Sequence, residues 1–324
     1  MHFESIPTTP RASELIEKAF SRAARAGRSK QGLLAQQSML QTASSILTDN
    51  LEQVGRVWPD FDQMDPFYYE MADALVGVDA LRQQLAHTQW AATQIGRLRR
   101  EYQPRVRRTE VATARRYRKQ AFARFADVVE SVGDDLLAIG AARDQLRQLP
   151  DIRTDTPTIV VAGYPNVGKS SFVNALTRAD TPTASYPFTT TTIRVGHMEV
   201  NHRTIQLVDT PGLLDRPAAD RNAIEDQAVS ALTHLADVVI FMCDASERCG
   251  YPLDDQLQLH QSVASTFDST ATPVLLVNNK ADATEMPDAA FNMSVLTTAG
   301  LDAVIDAAVA VVTDAHQLPP SRQQ

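Results

Sequence analysis

The sequence predicts two domains of different class, an all-α helical bundle followed by an α/β domain with a mostly parallel, doubly wound sheet. Three observations carry this. From Thr9 to about Pro150 the chain reads as long helical stretches with short connections. From about Asp151, apolar strand-like runs alternate with helical ones. The charge changes at the same place: residues 1–150 hold 21 Lys+Arg against 18 Asp+Glu, and residues 151–324 hold 10 against 21. The expected boundaries are 1–150 for the bundle, 151–316 for the α/β domain and 317–324 for a tail.

In the first part, Thr9-Pro10 reads as a cap followed by a first-turn proline, ahead of a stripe of Leu15, Ile16, Ala19, Phe20 and Ala23. Gly27 is the expected end of this helix. A second helix is expected from about Ser29 to Val57, stopped near Pro59. Asp65-Pro66 repeats the cap-plus-proline signal and opens a third segment, broken at Gly77 and resuming to about Glu101. Pro104 punctuates, and a fourth long helix follows. On it Val111, Ala114, Ala121, Phe122, Phe125, Val129 and Val132 share one face. Arg118 falls inside that face and must snorkel or pair with an acid.

In the second part the expected order is strand TIVVAG, a helix from Lys169, strands TIRVGHMEV and TIQLVD, and a helix near 223–235. Strand VVIFMCD, a helix near 254–267, strand PVLLVNN, a short FNMS and a last helix near 301–313 complete it. Only Asn201-His202 separates TIRVGHMEV from TIQLVD, so these two are expected to pair antiparallel.

Composition sets further bounds. The chain has 324 residues, 44% of them hydrophobic, and a net charge of −8. It carries 27 Asp and 12 Glu, with 26 Arg and only 5 Lys, a usage that resembles proteins of salt-loving microbes; a GC-rich genome, which also favours Arg over Lys, is the plainer alternative. Cys243 and Cys249 fit no zinc spacing and form no disulfide framework, so free thiols are expected. The seven histidines make no ligand cluster. The N-terminus lacks an apolar signal region, and no apolar run approaches 18 residues, so a cytoplasmic protein without membrane contact is expected.

Three elements carry chemistry. Gly163 to Ser171, GYPNVGKSS, fits G-x-x-x-x-G-K-[ST] after a strand and before a helix. The amides of Asn166, Val167, Gly168, Lys169, Ser170 and Ser171 would cradle phosphates at a helix N-terminus. Lys169 would reach the β- and γ-phosphates and the Ser170 hydroxyl would bind Mg²⁺. Forty residues on, Asp209-Thr210-Pro211-Gly212 ends a strand; Asp209 would support the metal, and Gly212 would offer its N–H to a γ-phosphate. The third element is Asn279-Lys280-Ala281-Asp282 after PVLLVN. A carboxylate at Asp282 accepts from guanine N1–H and the N2 amine, a donor pair that adenine lacks. Lys280 would lie along the base and Asn279 would tie this loop to the phosphate loop.

With these motifs the chain resembles the Obg-like P-loop GTPases, and among them the nucleolar GTP-binding protein 1 family in its short archaeal form. IPTTPRASELIEKAFSRAARAGR, YPFTTTTIRVGH, DTPGLLDRP and FMCDASERCGYPLDDQLQLH carry the resemblance. It implies GTP hydrolysis, a role in large ribosomal subunit assembly, and a helical domain ahead of the GTPase domain. It assigns a magnesium-binding switch threonine to Thr190, with Thr189 open as an alternative. It gives Asn166 to a potassium ion beside the phosphates. Ser294 falls at a guanine-contacting position where Val295 replaces the usual alanine. Leu213 stands where signalling GTPases carry the glutamine that holds the attacking water. The catalytic set is therefore expected to be Lys169, Thr190, Gly212 and Asn166.

Residues 97–124 hold 11 Lys+Arg against two acids, Glu101 and Glu110. Within an acidic chain this points to ribosomal RNA of the large-subunit precursor, through Arg108, Arg115, Arg116 and Lys119. A solvated face paired with acidic neighbours is the plainer alternative. The chain is expected to be monomeric away from the ribosome. Rival functions are a protein-binding switch that touches no RNA, and a partner of an RNA-modifying enzyme.

Overall fold

The computed structural model describes residues 3–149, 152–177, 183–185, 192–200, 203–216, 220–267 and 271–315. They fall into two compact units. Residues through Met64 pack with Val76–Arg147, while Asp65–Leu75 pack with the residues from Gln148 onward.

The first unit is all helical: α1 (Ala12–Arg28), α2 (Gly32–Arg56), α4 (Val78–Arg107), α5 (Val111–Glu130) and α6 (Gly133–Leu146). Helix α2 packs on α1, α4 and α5, and α6 packs on α4. Leu15, Ala19, Leu40, Leu47, Leu51, Leu81, Ile95, Phe125, Val129 and Ile139 fill the space between them, all fully buried. Each large side chain of this set contributes roughly 1.5–3 kcal/mol by burial, so Phe125→Ala would cost about 3–5 kcal/mol.

Five local expectations are corrected here. The cap of α1 is Arg11, whose N–H donates to Glu14 Oε2 at 3.0 Å, so Thr9-Pro10 lies ahead of the helix. Gly27 lies inside α1, where an added Cβ would stand 2.6 Å from Met39 Cγ and Sδ; it allows close helix packing rather than ending the helix. Helix α4 runs through Pro104 to Arg107. Pro104 and Arg100 are both exposed, so the carbonyl that loses its donor lies on the solvent side, while Tyr102 and Val106 anchor the last turns in the core. The fourth helix is two helices, broken at Ser131-Val132, where Ser131 Oγ donates back to Val128 O at 2.8 Å and Val132 is buried. On α5 the expected face is buried at Ala114, Ala121, Phe125 and Val129, but Val111 is exposed. Arg118 snorkels: its guanidinium lies 5.1 Å from the Phe122 ring centroid, and burial followed by Arg115 pushes its pKa down.

The second unit is built on a seven-stranded sheet of order β2-β3-β4-β1-β5-β6-β7. Its strands are β1 (Thr158–Ala162), β2 (Thr183–Ser185), β3 (Thr192–Val200), β4 (Arg203–Asp209), β5 (Val238–Cys243), β6 (Val274–Asn278) and β7 (Phe291–Asn292). Strands β4, β1, β5, β6 and β7 run parallel; β3 is antiparallel to β4 and to β2. Every residue of β1 and of β5 is buried, as expected for central parallel strands covered on both faces. Helices α7 (Lys169–Leu176), α8 (Ala223–Leu235), α9 (Leu253–Thr266) and α10 (Leu301–Ala315) alternate with the strands. The turn Asn201-His202 lies outside the described residues.

Helix α3 (Pro66–Val76) packs with this sheet unit, unlike the expected division at residue 150. The Tyr68 hydroxyl donates to Ile152 O at 2.7 Å and accepts from Ile152 N at 3.0 Å. Asp73 accepts from Gln227 at 2.8 Å, and His234 meets Glu70 at 2.9 Å, both contacts to α8. An amphipathic pattern specifies which face of a helix is buried, not which body it is buried against.

Candidate functional site

Parallel neighbours end at the same edge of a sheet, so the loops after β1, β4, β5 and β6 gather there. The loop after β1 turns into α7 through Gly168, at φ +108. A Cβ on Gly168 would stand 2.3 Å from Asn279 Nδ2, so glycine is required by both conformation and space. Asn166, in the same loop, is exposed and held at φ +64.

Lys169 is buried, and its ammonium donates to the carbonyls of Gly163 at 2.6 Å and Tyr164 at 2.8 Å. Burial pushes its pKa down, against the pull of Asp215 and Asp209. Ser170 Oγ donates to Asp209 Oδ2 at 2.7 Å. Asp209 is fully buried at the end of β4, and its Oδ1 has no hydrogen-bond partner. Burial pushes its pKa up, offset in part by the Ser170 hydrogen bond and by Lys169. A cavity of 460 Å³ opens here, lined by Asn166, Gly168, Lys169, Ser170, Ser171 and Asp215, with Pro165 and Pro211 at its walls.

A buried carboxylate oxygen without a partner beside a serine hydroxyl is a hard, oxygen-only donor set. It fits a divalent cation of the magnesium type and disfavours soft metals. Thr190 and Thr189, the expected third contributor, lie outside the described residues.

Thr210 Oγ1 donates to Val161 O at 3.0 Å and Leu214 O accepts from Gly163 N at 3.1 Å, which ties the loop after β4 to β1. Gly212 N donates to Asp215 Oδ2 at 2.7 Å. Leu213 is only 1% exposed: it is a packing residue, and its side chain is not available to hold a water.

The loop after β6 carries Asn279, Lys280 and Asp282. Asn279 Nδ2 donates to Val167 O at 2.8 Å and its Oδ1 accepts from Val295 N at 3.1 Å, so one side chain joins the phosphate loop to the loop of Ser294. Lys280, at φ +60, donates to Asn166 O at 3.1 Å. Asp282 is exposed, and Ser294 is buried with its Oγ accepting from Thr297 N at 3.2 Å.

Asp244 belongs to none of the three phosphate and base motifs, and here it is central. It follows β5, is fully buried, and accepts from Lys280 Nζ at 2.6 Å. Burial alone would raise its pKa; hydrogen bonds from Lys280 and Ser246 outweigh this and hold it below the usual carboxylate range. Cys249 N donates to the same oxygen as Lys280 does, at 2.9 Å, Ser246 N donates to the other at 3.0 Å, and Gln256 bridges the Asp244 backbone N–H and carbonyl to Tyr251 O. Tyr251 stacks on Tyr164 of the phosphate loop with ring centroids 4.3 Å apart. The run DASERCGY thus frames the base loop from behind. An acid directly after an apolar strand was the available signal.

In the helical unit, Arg108, Arg115, Arg116 and Lys119 are exposed, and no ion pair holds any of them among the described residues. Arg105 and Arg124 both pair with Glu101, so part of the basic excess is locally neutralised.

Residues 3–153 match the family model of the NOG1 N-terminal helical domain, and residues 158–280 match that of the 50S ribosome-binding GTPase. An uncharacterized protein of Methanocaldococcus jannaschii is 36% identical over 290 residues, 86% of this chain and 81% of that protein. Nucleolar GTP-binding protein 1 of Drosophila melanogaster is 34% identical over 235 residues, 72% of this chain and 36% of that protein. Its counterpart in Caenorhabditis elegans is 36% identical over 240 residues, 73% of this chain and 34% of that protein. The chain spans about a third of the length of these nucleolar relatives. No described helix is long and apolar enough to cross a membrane, and no described group of His, Cys, Asp and Glu could hold a metal as a cluster.

Proposed function

The chain belongs to the nucleolar GTP-binding protein 1 family of P-loop GTPases, and from that premise we propose that it hydrolyses GTP to GDP and phosphate during large ribosomal subunit assembly in the cytoplasm. The observation that carries the reading is the Asn279 side chain, which couples the base loop to the phosphate loop through Val167 O. Guanine recognition and phosphate binding are thereby one rigid construction.

Lys169 neutralises the β- and γ-phosphates, exchanging its two carbonyl partners for phosphate oxygens. The amides of residues 166–171 face the same anions at the start of α7. Ser170, Thr190 and Asp209 would hold magnesium, which when bound supplies further positive charge beside the phosphates. Gly212 offers its amide to the γ-phosphate, and Asp282 reads the guanine edge. Since Leu213 is packed, water must be oriented by backbone groups of the switch loops or by a docked partner. Turnover is therefore slow alone and rises with potassium or docking. The helical unit docks on ribosomal RNA of the large-subunit precursor through Arg108, Arg115, Arg116 and Lys119.

The test compares GTP, ATP and XTP binding in wild type and Asp282→Asn. The variant should lose about 1–3 kcal/mol toward GTP, by analogy with bidentate base readout, and gain XTP affinity. Equal wild-type affinity for ATP and GTP would overturn the reading. Co-sedimentation with ribosomal particles tests the assembly role; a ribosome-free, RNase-insensitive protein complex would favour a protein-binding switch instead.

A further inference from the structure

Asp215 stands three residues past Gly212, and its Oδ2 accepts the Gly212 N–H at 2.7 Å. That amide is the one the Asp-x-x-Gly spacing reserves for a γ-phosphate. The Asp215 side chain also lines the phosphate cavity together with Lys169 and Ser170. A carboxylate is a compact anion whose oxygens accept only, so it makes the same charge-assisted bond to an amide that a phosphate oxygen makes. Its charge is felt across the site: it favours the ammonium form of Lys169 and disfavours ionisation of Asp209.

The next residue fixes the other side of Gly212. Arg216 Nη2 donates to Gly212 O at 3.0 Å and pairs with Glu225 in the first turn of α8. Glu225 is itself held by Asn222, the cap of that helix, through reciprocal hydrogen bonds of 2.9 Å. Both polar groups of Gly212 are thus engaged by adjacent side chains of one loop. Gly212 sits at φ +79, where glycine is unstrained, so its environment rather than its backbone holds it there.

We propose that Asp215 is an internal stand-in for the terminal phosphate, which GTP must expel from the Gly212 amide and which GDP leaves in place. The inference rests on the reading of this cavity as a GTP site. It makes Asp215 a residue that discriminates between substrate and product. The γ-phosphate and the Asp215 carboxylate are like charges competing for one donor, and only one of them is bound at a time. Expulsion of Asp215 also strains the adjacent Arg216–Glu225 pair, so phosphate occupancy is transmitted to the start of α8. After hydrolysis and phosphate loss the carboxylate returns to the vacated amide.

The test titrates the full chain with GDP and with GMPPNP, a non-hydrolysable GTP analogue, in magnesium, for wild type, Asp215→Asn and Asp215→Ala. Asp215 is only half-buried, and asparagine keeps its size, so at least one folded variant is secured. Removing the competitor should improve GMPPNP affinity about tenfold in Asp215→Ala, with little change for GDP and an intermediate gain in Asp215→Asn. An unchanged GMPPNP-to-GDP affinity ratio, or weaker GMPPNP binding in both variants, overturns the inference while leaving the GTP reading intact. Failure of all three proteins to bind either nucleotide overturns both.

Discussion

The Lys280 ammonium lies 2.6 Å from a carboxylate oxygen of the fully buried Asp244, so the lysine expected beside the guanine ring is aimed by an acid from the neighbouring strand end. The same ammonium donates to Asn166 O in the phosphate loop. Lys280 is consequently held between two loops before any base arrives, which lowers the ordering cost of binding.

Asp244→Asn should therefore weaken GDP binding about tenfold without abolishing it, since Lys280 keeps Asn166 but loses its counter-charge. Asp244→Ala should in addition lower stability by about 1–3 kcal/mol, because the Ser246 and Cys249 amides lose their acceptor in a buried place. Calorimetric titration and thermal unfolding of both variants check this. GDP affinity equal to wild type in both would remove Asp244 from the site.

The contrast between Asp244 and the other site residues shows what the sequence could carry. Lys169, Asp209, Asn279 and Asp282 stand out in the sequence because the proposed phosphate and guanine contacts ask for those side chains at fixed spacings, each after a strand. Asp244 answers to no ligand atom. Its partner lies 36 positions away, and only the parallel register of β5 beside β6 brings the two strand ends together. Helix α3 was legible as a helix, but the Tyr68–Ile152 contact that binds it to the sheet unit spans 84 positions and has no local signature. Pro104 reads as a helix stop but is not one: its cost in a helix falls when the orphaned carbonyl faces water and the flanking residues are buried. The short β2 has no sequence signature, because three residues give no period to read.

Exposed Arg115, Arg116 and Lys119 lie on α5 outside any ion pair among the described residues, unlike Arg124, which holds Glu101. Reversing the three to Glu should release the protein from pre-ribosomal particles and leave GDP affinity unchanged. Each lost phosphate contact also flattens the salt dependence of RNA binding, by roughly 0.7–0.9 in the log–log slope. Sedimentation of the triple variant with particles at the wild-type level would point instead to a solvated helix face.

Cys243 offers a separate check on the interior of the sheet unit. Its thiol is fully buried at the end of β5, and burial followed by Asp244 pushes its pKa up to about 12 from an ordinary 9. Unfolding favours the thiolate, so the contribution is full below about pH 9 and is lost as pH rises toward about 12. Iodoacetamide at pH 8 should label Cys243 in the unfolded protein and leave it unmodified in the folded one. Cys243→Ser should shift the onset of alkaline unfolding; rapid labelling of Cys243 in the native state would show that the thiol is open to solvent.

Leu213 is buried beside the phosphate cavity, while Asn166 is exposed in the loop that bounds it, and this pair sets the expectation for turnover. A residue packed to 1% exposure has no means of polarising water, so Leu213→Ala should leave the hydrolysis rate nearly unchanged while costing stability of about 2–5 kcal/mol. Positive charge must reach the β–γ bridge by another route. A potassium ion held by Asn166 would put charge where the transition state gains it and would stabilise that state selectively. A tenfold rate gain needs only about 1.4 kcal/mol, which one desolvated ion can supply. Sodium is smaller and should fit the same oxygens poorly. Turnover measured in potassium and sodium chloride at equal ionic strength should show potassium stimulation in wild type and in Leu213→Ala, and none in Asn166→Ala. Equal wild-type rates in the two salts would defeat the potassium route and assign the missing charge to the docked partner.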